Sequence, residues 1–224
     1  MTHLREVERR LGAAVLIAAP LAGLVGGVLS EDFGGGMSQE LEYIAANNTR
    51  WLIANYCTLL MGALMTMAIG ILIVLVRGRA AVLGYFGGAL AIFGIYFHGP
   101  VVGYSLVEAP LVQSALPQDR VLTFVDQVMF EHAAFTSILI PFLGFFLGMI
   151  LLAVALWRAR IAPVWVAAII AAAPLTEFVG LRVVSPELMF LLFTIGFGYI
   201  AWRMLSSRAE LHADRTLVDA QPAD

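Results

Sequence analysis

Two tight basic turns, Arg77-Gly78-Arg79 and Arg158-Ala159-Arg160, each separate a pair of long apolar runs, and three residues leave the chain room only to reverse. The first turn joins Trp51–Val76 to a run from Ala80 to about Ser105, the second joins His132–Trp157 to a run from Pro163 to about Leu181. Each run approaches or exceeds the roughly 20 apolar residues that carry a helix across a bilayer. Each pair therefore reads as an antiparallel helical hairpin. Two further runs, Leu11–Ser30 and Leu188 to about Leu205, bring the expectation to six spans. Composition agrees, because a chain that is 61% hydrophobic and 13% charged cannot hide its apolar surface as a soluble globule. The expected fold class is all-α, a polytopic membrane bundle of six transmembrane helices, with residues 1–205 as one transmembrane domain and 206–224 as a polar cytoplasmic tail.

Leu11–Ser30 follows basic residues, as a signal peptide does, but it is long and no small-x-small site follows it, so it reads as an anchor. Arginine placement sets the orientation, since positive residues gather in cytoplasmic loops and the chain has no lysine. Arg5, Arg9, Arg10, Arg77, Arg79, Arg158, Arg160, Arg203, Arg208 and Arg215 fall on one side of a six-span topology, against Arg50, Arg120 and Arg182 on the other. Both termini are thus expected inside, in a multi-pass protein of the bacterial inner (plasma) membrane. The outer face carries Glu31, Asp32, Glu40, Glu42, Glu108, Asp119, Asp126, Glu131 and Glu187, and this acidic surface disfavours nucleic acid as a partner. Cys57 is the lone cysteine, so neither an intramolecular disulfide nor a cysteine-rich metal site can form.

Small residues mark the expected helix contacts. Gly23-x-x-x-Gly27, Gly84-x-x-x-Gly88 and Gly144-x-x-x-Gly148 allow close backbone approach in the first, third and fourth spans. Asn55, Thr58, Gly62 and Thr66 share one face of the second span, which should turn inward and could line a cavity. No Gly or Pro lies between Gln118 and Ile140, so the fourth helix is expected to start near Asp119, with Leu122, Val125 and Met129 covering the outer mouth.

Groups able to carry chemistry gather near the outer leaflet: His98, Tyr104, Glu108, Glu131, His132, Glu177 and Arg182. Ionisable groups at membrane depth cost about 3 kcal/mol unless partnered, and so mark candidate sites. Glu177 leads, because Pro174 three residues earlier frees a carbonyl and bends the helix; Glu131 and Glu108 are the candidate second carboxylates. Glu131 equally suits a helix start, where the dipole favours a carboxylate. His98 equally suits a bond to a carbonyl freed by Pro100.

Three readings follow. A carboxyl in an apolar pocket has its pKa raised and can act as a general acid, which suits an enzyme protonating a lipophilic, isoprenoid-like substrate. Phe93, Tyr96, Phe97, Phe130, Phe135, Phe178 and Phe190 would face a developing cation, with Asn55, Tyr104 and Arg182 completing the binding surface. A proton-coupled transporter would use Glu177, Glu131 and His98 as its relay, though the inner halves of the spans hold almost no ionisable residue. Haem or metal between His98 and His132 is the third.

The stretches Arg9-Arg10-Leu11-Gly12, Ile44-Ala45-Ala46-Asn47-Asn48-Thr49-Arg50 and Trp157-Arg158-Ala159-Arg160-Ile161-Ala162-Pro163-Val164-Trp165 carry a resemblance. On them, and over most of its length, the chain resembles a broad group of uncharacterised six-span bacterial (actinobacterial-type) integral membrane proteins. That resemblance implies the topology and no activity. In size, helical content and acidic residues the chain is also similar to small membrane-embedded terpene cyclases, without a defining motif of theirs. No G-x-G-x-x-G in strand context, P-loop or G-x-S-x-G elbow occurs, so nucleotide use and serine hydrolysis are disfavoured and no cofactor is expected. The expectation is therefore a lipophilic-substrate enzyme with membrane lipid around it, or alternatively a small transporter or a non-catalytic membrane protein.

Overall fold

The structure, a computed structural model, describes residues 2–30, 37–76, 78–114, 116–127, 134–177 and 186–219. It is all-helical, with no strand among the described residues. The helices are α1 (Thr2–Leu29), α2 (Met37–Leu75), α3 (Ala81–Val112), α4 (Gln118–Asp126), α5 (Ala134–Arg158), α6 (Val164–Ala172) and α7 (Pro186–Asp219). Among them, Glu6–Leu29, Ser38–Leu75 and Glu187–Ser206 are long and apolar enough to cross a membrane, and the protein is membrane-associated on that ground.

Successive helices close a ring. α1 packs on α2 and α7, α2 on α3, α3 on α5, α5 on α6, and α6 on α7. The two basic turns make the hairpins read from the sequence: Gly78 adopts φ +67° in the first and Arg160 φ 57° in the second, left-handed conformations in the short connections between α2 and α3 and between α5 and α6. Arg203 of α7 ties itself to the second turn, donating to the carbonyls of Ile161 (2.9 Å) and Arg160 (3.4 Å).

Inside a bilayer no hydrophobic force separates helix from lipid, so the ring closes by close packing. The glycine spacings serve this, but not as a single pair of motifs. Gly84 and Gly88 face α2, where Val76 and Ile73 occupy the space beside them. The α3–α5 contact instead brings Gly148 against Gly87 and Ala91, so close that a Cβ on Gly148 would overlap the Ala91 backbone nitrogen. Gly144 has ordinary contact with Leu90.

Packing differs between the two ends of the ring. Toward the arginine-rich end, Ile69, Leu72, Met149, Leu152, Leu156, Phe197 and Ile200 fill the interior and are fully buried. The far end is extended by α2 and α3, which at 39 and 32 residues reach about 58 and 48 Å and so exceed a hydrocarbon core of about 30 Å. α2 thus starts well before the Trp51 read as its beginning, and it bends at Asn47 (φ −129°, ψ 33°). Its first turns, the end of α3 and α4 share a second small core of Leu41, Ile44, Trp51, Ala109, Val121 and Val125. The expected helix start near Asp119 corresponds to α4, whose Val121 and Val125 cover this core; Met129 lies outside the described residues.

α6 is shorter than the fifth run suggested. It gives way to a 3-10 segment, Ala173–Glu177, because Pro174 lacks the N–H that would continue the α ladder. Conversely, α7 remains helical through Asp219, beyond the point where the polar tail begins in the sequence.

Candidate functional site

A cavity of about 290 Å³ lies where α1, α2, α3, α5 and α7 face one another, on the far side of the packed interior. Its walls are Met61 and Met65 from α2, Ile95 from α3, Phe142 and Phe145 from α5, and Met189 and Phe190 from α7. Gly27, Ser30, Thr58 and Gly94 complete it. The volume falls just short of the range for small-molecule pockets, about 300–1,000 Å³.

Local sequence explains why the space stays open. Gly23 lacks a side chain, and the Phe190 ring occupies the position a Cβ would take there. Gly26 likewise admits Thr58 Oγ1. Aromatic edges fix the opposite wall: Phe142 meets Phe146 edge-on at 4.6 Å, and Phe145 meets Phe193 at 6.1 Å. Methionines, unbranched and polarisable, are suited to a wall that conforms to variable apolar shapes.

The polar edge of the cavity is narrow. Ser30 Oγ donates to Gly26 O at 2.9 Å and Thr58 Oγ1 donates to Ala54 O at 3.0 Å, so each hydroxyl spends its proton on its own helix. Glu187, in the first turn of α7, packs beside Gly27 and is not one of the residues lining the cavity; its Cγ and Cδ would lie 3.4 and 3.7 Å from a Cβ on Gly27. Its Oε2 is buried without a hydrogen-bond partner. Sequence reasoning placed Glu187 on the outer surface and missed this contact, because only the packing of α7 on α1 turns it inward.

A second polar cluster lies in the cap, around Tyr104 and Glu108 of α3, which stand outside the three candidate spans. Glu108 is 1% exposed, packed in the small core between α2, α3 and α4. Burial, and then the charge of Glu40 on α2, push its carboxyl up to about 8; Tyr104, one turn earlier, opposes the shift. Glu108 Oε2 is buried without a hydrogen-bond partner, and Asn48 Oδ1 is buried in the same condition. Trp51 Nε1 pins this level of α2 to α3 by donating to Ser105 O at 2.9 Å.

The residues singled out from sequence are dispersed. Glu108 and Tyr104 come together in the cap cluster, and neither lines the cavity. Asn55 donates to its own helix at Trp51 O (3.0 Å). Thr58, Gly62 and Thr66 do line a groove, shared with Ile95, Tyr96 and Gly99 of α3, and Tyr96 stands there 77% exposed. Phe190 is a cavity wall. Phe97, His98, Phe135 and Glu177 are on helical backbone, but their side chains lie outside the described part of the structure. Glu131, His132, Phe130, Phe178 and Arg182 lie outside the described residues. Among the described residues no group of three His, Cys, Asp or Glu is placed to hold a metal.

Comparison with protein-family models, with curated proteins and with solved structures finds no match to this chain.

Proposed function

We propose that the chain is an integral protein of a bacterial plasma membrane, N- and C-termini inside, that holds a lipophilic small molecule in the outer half of its helical ring. The observation carrying this reading is the apolar cavity walled by Met61, Met65, Phe142, Phe145, Met189 and Phe190. Its position supports a binding pocket over a through-path, because the arginine-rich half beneath it is filled by Ile69, Leu72, Met149, Leu152 and Phe197. The ten-to-three arginine bias supports the orientation. Acid catalysis on an isoprenoid, one reading of the sequence, draws no support from the described lining, which is Met, Phe, Ile, Gly, Ser and Thr.

The test is photolabelling by a long-chain alkane carrying a diazirine, with the purified protein in lipid nanodiscs. Adducts on Met61, Met65 and Met189, lost when the cavity is filled by Met61→Trp, are the expected result. Adducts confined to outward residues such as Leu59 and Val82, and unchanged by Met61→Trp, would refute the reading.

A further inference from the structure

The turn between α5 and α6 is built differently from the one between α2 and α3. Arg160 N–H donates to Trp157 O at 2.9 Å and Ile161 N–H to Leu156 O at 3.0 Å, the paired bonds of a Schellman cap, whose left-handed position is ordinarily a glycine. The first turn does have glycine, Gly78, in the left-handed conformation; the second has Arg160, and a bulky residue rarely adopts positive φ. What the arginine contributes there is its side chain. Arg160 and Arg203 both line an open cavity of about 330 Å³ between this turn and α7, together with Trp157, Pro163, Val164 and Tyr199.

Positive charge converges on this space. Arg203 Nη1 is held by the carbonyls of Ile161 (2.9 Å) and Arg160 (3.4 Å), which fixes the guanidinium beside the turn; its Nε and Nη2 carry three further N–H groups. Two like charges lining one small cavity repel, a cost that an anion between them removes. Val164, the first residue of α6, is also in the wall, so the positive end of that helix borders the same space. Around it lie the aromatic residues of a membrane interface. Trp165 meets Tyr199 edge-on at 5.2 Å, Tyr199 lies 5.7 Å from Trp202, and Trp157, Trp165 and Trp202 are all exposed. We infer that this cavity holds the phosphate group of an anionic phospholipid, with the Arg160 and Arg203 guanidiniums as donors and the acyl chains along the exposed Val164 and Trp165. A free phosphate ion has the same charge chemistry, and the apolar, aromatic rim is what favours the lipid. The site stands at the arginine-rich end of the ring, apart from the apolar cavity, and does not depend on what that cavity holds.

The test is native mass spectrometry of the full chain in a neutral detergent, titrated with phosphatidylglycerol, with phosphatidylcholine of the same acyl chains, and with inorganic phosphate. Phosphatidylglycerol is expected to bind about tenfold more tightly than phosphatidylcholine, whose choline would bring a third cation to the two guanidiniums. Inorganic phosphate at the same concentration should leave bound phosphatidylglycerol in place. Arg160→Gly gives the left-handed position its ordinary residue, so thermal stability should hold or rise while the lipid preference falls below about threefold. Arg158→Gln removes the same charge from the same turn but from outside the cavity lining, and should keep the preference. Equal affinity for the two lipids in wild type, or equal loss of preference in Arg160→Gly and Arg158→Gln, would overturn the site in favour of a diffuse basic surface. Displacement by inorganic phosphate would reassign the cavity to a free anion and overturn the lipid.

Discussion

The Phe190 ring sits against the bare Cα of Gly23, in the space a side chain on Gly23 would need. This single relationship fixes where α7 crosses α1 and also leaves Phe190 as one wall of the cavity. Gly23→Ala should force the ring or the helix to move and lower stability in detergent by about 1–3 kcal/mol, the usual cost of overpacking. Because the two side chains would compete for one space, Gly23→Ala and Phe190→Ala should be non-additive, the double variant being more stable than the two losses summed. A double-mutant cycle by thermal unfolding reads this coupling; strict additivity would mean the ring is not what Gly23 accommodates.

Two glycines on one helix face should respond oppositely to the same change. A Cβ on Gly148 meets backbone of α3 at Ala91 and Gly87, which cannot swing aside, whereas one on Gly144 meets Leu90 at 3.4 Å. Gly148→Ala is expected to destabilise by about 1–3 kcal/mol. Gly144→Ala is expected to be neutral or to gain up to about 1 kcal/mol from helix propensity. Equal effects in SDS titration of the purified protein would contradict the close α3–α5 approach.

The cap should be sensitive to alkali through Glu108. Its carboxyl, ordinarily near 4.5, is raised in the folded protein to about 8 by burial and then by Glu40. Between those values the folded state binds the extra proton, so stability is full below about 4.5, declines as pH rises, and is lost once pH passes about 8. Thermal unfolding across this range should show that decline in wild type, and Glu108→Gln, which stays neutral, should flatten it. Parallel profiles for the two proteins would exclude Glu108 as its source.

How far all this could be read in advance depends on which physical signal each part left in the chain. Long apolar runs and basic turns are strong signals, and the helices, both hairpins and the inward use of glycine follow from them. The length of α2 does not, because Glu40, Glu42, Asn47 and Asn48 make residues 37–50 look like a loop; the trace left behind is the face Leu41, Ile44, Asn48, Trp51 at helical spacing. Carboxylates drew attention by their cost in a membrane, and Glu108 was found that way, but what decides its role is the tertiary cover from α2 and α4. The cavity walls left almost no signal. Met61, Met65, Phe145 and Met189 are ordinary membrane-helix residues, and only the closing of α7 onto α1 separates them from others that face lipid. Phe190 was picked out for its aromatic ring, while Glu187 gave no sign of turning inward.

The central claim, a lipophile held inside the ring, is tested most directly by native mass spectrometry of the protein released from membranes, wild type beside Met61→Trp. The expected result is a discrete small adduct on the wild type, reduced or absent in Met61→Trp while surrounding phospholipid adducts are equal in both. Identical adduct patterns in the two proteins, with both folded to the same thermal stability, would contradict it.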